Sequence, residues 1–142
     1  EEKAQQAERL AKAVATADVL ITTAAIPGKK APLIITEDMI KGMKYGSVIV
    51  DMAAESGGNC ALTQANQIVQ AHNVSIIGPV NLPSRMPMHA SELYAKNLYN
   101  FLSPFIKEGE LNIDWQDEVI AGSLLCKDGA TVHGNVKQVL GE

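Results

Sequence analysis

Two carboxylates, Asp51 and Glu55, are the residues of this chain best placed for chemistry. Asp51 closes the apolar run Ser47-Val48-Ile49-Val50, and Glu55 lies in the small-residue stretch Met52-Ala53-Ala54-Glu55-Ser56-Gly57-Gly58 that follows. A carboxylate at the end of a buried run has two uses. It accepts from a ligand hydroxyl, or it accepts from the amides of its own loop, because buried polar groups find partners. Glu55 has the type and place of an acid or base facing the reactive end of a ligand, or of a solvated loop acid. Thr22 and Thr23 end an earlier apolar run, Val19-Leu20-Ile21. Strand alternation turns one of these hydroxyls inward, where it is expected to bond the sheet, and the other out towards a ligand. His89 is an acid or base by type and equally a helix cap or surface group, while His72 and His133 stand in no such constellation. Cys60 and Cys126 have neither metal nor redox spacing and read as two reduced thiols.

The elements that position these groups are read from the apolar pattern. Val19 to Thr23 and Ser47 to Val50 are short β-branched runs ending at small residues, with the helix-like segment Thr36 to Met43 between them. That order is a strand, a helix and a strand. Continuous apolar runs, as opposed to strict alternation, suit strands covered on both faces, so the sheet is expected to be parallel with helices above and below. Such sheets bind ligands at the carboxyl ends of their strands, which here are the loops from Thr22 to Gly28 and from Asp51 to Gly58. Both are made of small residues against which a flat ligand can lie close to the backbone.

Around this unit, Glu1 to Ala17 reads as a helix from the spacing of Ala4, Ala7, Leu10, Ala11 and Val14. Thr36-Glu37-Asp38 is a helix start, with a threonine cap and acids in the first turn, and Gly46 follows its end. Gln64 to Ala71 suits a short helix, whereas Gln67-Ile68-Val69 suits a strand; the strand is preferred, with His72-Asn73 turning a hairpin into a third strand, Val74 to Gly78. Pro79, Pro83 and Pro87 predict an irregular loop from Val80 to Met88. From about Ala90 the positions Leu93, Tyr94, Leu98, Phe101, Leu102 and Phe105 follow helical spacing to Ile106, with Pro104 kinking only the last turn. Beyond Glu110, short apolar runs around Asp128-Gly129 predict a small antiparallel element. The expected domains are residues 1–89, 90–108 as a connecting helix, and 109–142.

Composition narrows the function. The 142 residues are 46% hydrophobic, enough for an ordinary core. A net charge of −4 without a lysine or arginine cluster argues against nucleic acid. No apolar run reaches the roughly 18 residues of a membrane-spanning helix, and no metal site is expected. A nucleotide site needs a phosphate cradle, and no Gly-x-Gly-x-x-Gly follows the first strand. The chain opens on Glu1-Glu2-Lys3-Ala4 without Met and inside a helical pattern, so it is read as a piece of something longer whose phosphate-binding half lies upstream.

Three long stretches carry a resemblance: Ile21-Thr22-Thr23-Ala24-Ala25-Ile26-Pro27-Gly28-Lys29-Lys30-Ala31-Pro32, Met43 to Cys60 through Val50-Asp51-Met52-Ala53-Ala54-Glu55-Ser56-Gly57-Gly58, and Asn81-Leu82-Pro83-Ser84-Arg85-Met86-Pro87. Together they resemble the NAD(H)-binding domain of the alpha subunit of proton-translocating NAD(P) transhydrogenase, and alanine dehydrogenases share the same scaffold. The fold this implies is α/β: the C-terminal half of a Rossmann-like parallel sheet with helices on both faces, then a long connecting helix and a small antiparallel tail of a second lobe. Gln6 and Ala25 match family positions that touch NAD. The Thr23, Ala24, Ala25 to Pro27 loop lies along the cofactor by the same resemblance, with Asp51, Glu55 and Asn81 completing the expected cofactor-binding set.

The resemblance also implies hydride transfer between NADH and NADP+, with NADP(H) on a partner domain. It implies membrane-spanning partners that couple the transfer to proton translocation, and a homodimer. The expected location is the cytoplasmic face of a bacterial inner membrane, or the matrix face of the mitochondrial one, with no direct membrane insertion and no nucleic acid. Alanine dehydrogenases place a catalytic aspartate where Glu55 stands, so glutamate here leans towards transhydrogenase. No catalytic residue is assigned within the chain, and alone it is expected to be inactive. The alternatives are an alanine dehydrogenase-like oxidoreductase and a non-catalytic NAD-binding module.

Overall fold

The structure, a computed structural model, describes residues 2–141. Glu1, expected to open the first helix, lies outside the described residues. The chain divides into two compact units between Met86 and Pro87, a few residues before the boundary expected at 89.

In the first unit, helix α1 (Glu2–Thr16) leads into strand β1 (Val19–Thr22), helix α2 (Glu37–Lys41), strand β2 (Val48–Asp51), strands β3 (Gln67–Ala71) and β4 (Val74–Gly78), and a single helical turn, α3 (Leu82–Arg85). The sheet order is β1-β2-β4-β3, with β1, β2 and β4 parallel and β3 antiparallel at the edge. The β3–β4 hairpin turns at His72 and Asn73, both at positive φ (51° and 62°). Left-handed backbone at both central residues gives the turn a twist that matches the flanking strands. Thr36 caps α2 by accepting from the Met39 amide at 3.3 Å, with Glu37 and Asp38 in the first turn and Lys41 at the end, as the helix dipole favours.

One face of the sheet is packed. Val14 from α1, Ile40 from α2, Ile49 from β2 and Val74 and Ile76 from β4 are all at most 1% exposed and form one cluster with Ile35, Met43 and Cys60. Each such isoleucine contributes about 1.5–3 kcal/mol on leaving water, which ties both helices to the strands between them. Of the α1 stripe Leu10 and Val14 reach this layer, Ala11 is half-buried, and Ala4 and Ala7 are exposed. On the opposite face Val19, Ile21 and Ile68 remain at least 60% exposed, so within the first unit the helices cover one side.

The remainder of the chain departs from expectation in three places. The proline-rich stretch is not irregular throughout: Leu82–Arg85 is a helical turn, and Pro87 opens the long helix α4 (Pro87–Leu102), three residues earlier than read. Proline in the first turn of a helix loses no hydrogen bond, since those amides have no intrahelical partner. Helix α4 also stops sooner, at Leu102. Pro104 disfavours helical backbone before it and lacks an amide, so Ser103–Phe105 tightens into a 3-10 turn and Ile106 begins a strand.

The tail is two separate hairpins, not one antiparallel element: β5 (Ile106–Lys107) with β6 (Glu110–Leu111), and β7 (Cys126–Lys127) with β8 (Ala130–Thr131). Between them the apolar run Val119 to Gly122 is helical, within α5 (Glu118–Ser123). The cause is Asp117, whose carboxylate accepts from the Val119 and Ile120 amides at 2.9 and 3.2 Å and so supplies the cap that a four-residue apolar run by itself does not announce. Helix α6 (Gly134–Leu140) ends the described chain. The Lys127 ammonium stands 4.2 Å from the centre of the Trp115 ring, close enough for a cation–π contact. Among the described residues no helix is long and apolar enough to cross a membrane.

Candidate functional site at the strand ends

Because β1 and β2 run parallel, their carboxyl ends leave the sheet on one edge. The last rung between them is the Met52 amide donating to the Thr22 carbonyl at 2.9 Å. Beyond it β1 continues into the Ala24–Gly28 loop, while β2 turns into a 3-10 segment, Ala54–Ser56, ended by Gly57 in the left-handed region.

Asp51 sits beneath this divergence, fully buried. One carboxylate oxygen accepts from the Ala53 amide at 3.1 Å, and the other accepts from the Asn59 amide (2.7 Å), the Cys60 amide (3.0 Å) and the Thr63 hydroxyl (2.6 Å). This is the arrangement in which the acid satisfies its own loop: four donors of the protein occupy it and neither oxygen reaches solvent. Gly58 makes it possible. A Cβ there would lie 2.8 Å from Asp51 Oδ2 and 2.9 Å from Thr63 Cβ, and φ is +79°, so no side chain fits over the carboxylate.

Among these loops lies an open cleft of about 620 Å³, lined by residues 25–30 after β1 and by Glu55 and Ser56 after β2. Lys29 and Lys30 bring two cations to this lining alongside the Glu55 carboxylate. The Lys30 stem lies against Gly57, where a Cβ would come within 2.9 Å of Lys30 Cε. Glu55 is engaged: one oxygen accepts from the Asn81 backbone amide. Asn81 is itself left-handed (φ 48°, ψ 46°) at the start of α3, a conformation asparagine adopts more readily than most residues. The contact ties the loop after β2 to the loop after β4.

The structure therefore brings Ala25, Pro27 and Glu55 together in the cleft and joins Asn81 to them through Glu55, while Ala24, next to Ala25 in the chain, is bonded to Asn59. Thr23 is exposed beside Ala24, and Thr22 turns inward as alternation requires. The Thr22 hydroxyl is buried but has no hydrogen-bond partner, so the expected bond to the sheet does not form. Gln6 stands exposed on α1 and is not among the residues lining the cleft. His89 lies in the first turn of α4, in the other unit. Sequence reasoning missed Asn59 and Lys30. Asn59 is fully buried, and its side chain bonds the backbone of Ala24 and Pro32. The signal that could have found it is its place directly after Gly57-Gly58, where a polar residue enters the interior.

Chemically, the cleft offers a wall of mostly small residues, two lysines and one carboxylate already bonded to backbone. That suits a flat ligand carrying negative charge better than it suits proton transfer. Among the described residues no three His, Cys, Asp or Glu gather in a way that could hold a metal ion.

Residues 1–134 match the profile of the alanine dehydrogenase/PNT C-terminal domain. The chain is 48% identical over 131 residues to an NAD(P) transhydrogenase subunit alpha protein of Rhodospirillum rubrum, covering 91% of this chain and 34% of that protein. Among solved structures it is similar to transhydrogenase from Sinorhizobium meliloti, with a TM-score of 0.80 and 39% identity over 92% of this chain and 37% of that one. It is also similar to an L-alanine dehydrogenase, with a TM-score of 0.74 and 26% identity over 95% and 38%. The chain spans about a third of the length of these relatives.

Proposed function

Because this chain belongs to the alanine dehydrogenase/PNT C-terminal domain family, we propose that it forms part of the NAD(H)-binding lobe of a transhydrogenase alpha subunit. In this reading the first unit is the later half of the Rossmann-like lobe, α4 is the connector that follows it, and the tail belongs to a second lobe. The observation that carries the proposal is the cleft between the Ala25–Pro27 loop and Glu55 at the carboxyl ends of adjacent parallel strands, where such sheets take nucleotides.

The residues present fit the cofactor in a limited way. Ala25 and Pro27 offer a flat, small-residue wall. Lys29 and Lys30 offer positive charge, and the polar backbone of Ala24 is already bonded and does not compete for the ligand. No Gly-x-Gly-x-x-Gly phosphate cradle stands in this sequence, so the wall described here positions the cofactor and does not anchor it. NAD(H) held along Ala25 and Pro27 would supply hydride chemistry towards NADP+ on a partner. Glu55 takes no proton in this scheme. It holds the Asn81 amide and keeps the two strand-end loops together.

The partners of this reading are an NADP(H)-binding component and membrane-spanning components that couple transfer to proton movement at the cytoplasmic face of the membrane, with the alpha subunit a homodimer. A second reading, an alanine dehydrogenase, is favoured by the L-alanine dehydrogenase fold similarity. One substitution separates them. In the complete subunit with its partners, Glu55→Gln is expected to lower hydride transfer from NADH to an NADP+ analogue by less than about tenfold, whereas loss of an acid–base group costs on the order of 10²–10⁴-fold. Alanine with NAD+ is expected to give no turnover. Alanine oxidation that collapses in the Gln variant would overturn the proposal in favour of the second reading.

A further inference from the structure

Residues 25–30, which line the cleft together with Glu55, form a loop, and one buried side chain closes the base of that loop. After Thr22, β1 loses its neighbour because β2 has turned into the 3-10 segment. The amide and carbonyl of Ala24 would therefore have no ladder partner. The Asn59 side chain supplies both: its Oδ1 accepts from the Ala24 amide at 3.0 Å, and its Nδ2 donates to the Ala24 carbonyl at 2.9 Å. A primary amide carries the same donor and acceptor as a peptide group, so Asn59 extends the sheet by one rung with a side chain. The second Nδ2 hydrogen goes to the Pro32 carbonyl at 2.8 Å. Ala24 and Pro32 are the two ends of the loop that forms the wall, and a single amide holds both.

Asn59 is itself held on every side. Its amide donates to Asp51 Oδ2 at 2.7 Å, and its carbonyl accepts from the Ile34 and Ile35 amides at 2.8 and 2.9 Å. The chain of contacts runs from the buried carboxylate at the end of β2, through Asn59, to the base of the cleft wall. Among the described residues no other side chain bonds the Ala24 or Pro32 backbone.

From these contacts we infer that Asn59 is a positioning residue for the cofactor: it sets the place and stiffness of the Ala25–Gly28 wall, and so the width of the cleft that this wall lines together with Glu55. The inference rests on the reading that this cleft takes NAD(H). Preorganising a binding wall lowers the ordering cost of association, so loosening the wall should weaken cofactor binding while the sheet stays folded. A hydroxyl or methyl at position 59 cannot satisfy three backbone groups at once, and Ala24 is the group it would abandon.

The test measures amide hydrogen exchange and NADH affinity on the same complete subunit, in wild type, Asn59→Ala and Asn59→Ser. In wild type the Ala24 amide is expected to be protected although it lies outside any strand, with Ile49 as the reference from β2. In the variants Ala24 exchange should rise on the order of 10- to 100-fold with Ile49 unchanged, and the NADH Kd should rise about tenfold or more. Faster Ala24 exchange with unchanged NADH affinity would overturn the inference, as would an unprotected Ala24 in wild type. If neither variant folds, Asn59 belongs to the fold alone and the inference is wrong. Failure of wild type to bind NADH would instead sink the proposed function, and Ala24 exchange would still decide whether Asn59 closes the loop.

Discussion

Replacing Asp51 by asparagine tests the hub on which both loops depend. The change keeps the shape and removes the charge, and it converts one acceptor oxygen into a donor NH2. Asp51 Oδ2 has three donors aimed at it and Oδ1 has one, so the least damaging orientation puts the NH2 on the Oδ1 side. There it meets the Ala53 amide donor to donor, and that bond is lost. An orphaned buried amide costs about 1–3 kcal/mol. The remaining three bonds lose their charge assistance, which is about half the worth of a charged hydrogen bond; at about 1 kcal/mol each this adds roughly 2–3 kcal/mol. Neighbouring terms are not additive, so the expected loss is about 3–5 kcal/mol. Urea unfolding followed by far-UV circular dichroism reads this as a lower midpoint with an unchanged slope. A loss below about 1 kcal/mol would refute the reasoning, because it would mean the four donors are satisfied without the carboxylate's charge.

Two further substitutions probe groups outside the hub. Thr22→Val removes a buried hydroxyl that has no partner while keeping the branched shape, so the protein should keep its stability or gain up to about 1 kcal/mol; a loss of more than that, by the same urea titration, would reveal a bond the hydroxyl makes. Glu37 joins α2 to the β3–β4 turn, 3.0 Å from His72 and 3.4 Å from Lys41, and the His72 bond, followed by Lys41, holds its carboxyl below the usual glutamate value. A depressed folded pKa gives stability that is present above the unfolded pKa and lost as pH falls through the folded one. Glu37→Gln should therefore lower the melting temperature slightly at neutral pH, with the difference from wild type vanishing once the pH is below both values; a difference that persists at low pH would disconnect it from this carboxylate.

Much of the fold was legible because it depends on local pattern. The continuous Val19 to Thr22 and Val48 to Val50 runs, the Thr36 cap with its acidic turn, and the His72-Asn73 reversal are each written within a few residues, and the parallel order followed from the helix between the first two strands. The boundaries that failed did so where a single residue outweighed the apolar pattern. Asp117 capped Val119 to Gly122 into a helix, Pro104 ended α4 at Leu102, and Pro87 started that helix where a break was expected.

By itself the sequence determined that Asp51 closes a buried strand, that small-residue loops follow both parallel strands, and that Ala25, Pro27 and Glu55 belong to those loops. Only the tertiary structure decided what each polar group does there. Asp51 was open to two uses until four donors converged on it from Ala53, Asn59, Cys60 and Thr63. Glu55 looked free until the Asn81 amide, 26 residues away, was found on it. Asn59 gave no periodic signal because its partners, Ala24 and Pro32, lie 35 and 27 residues away. The periodicity of side chains reports which face of an element is buried, whereas a hydrogen bond depends on direction and on distances of about 3 Å, and those arise only when glycine-turned loops carry remote backbone groups to the same point.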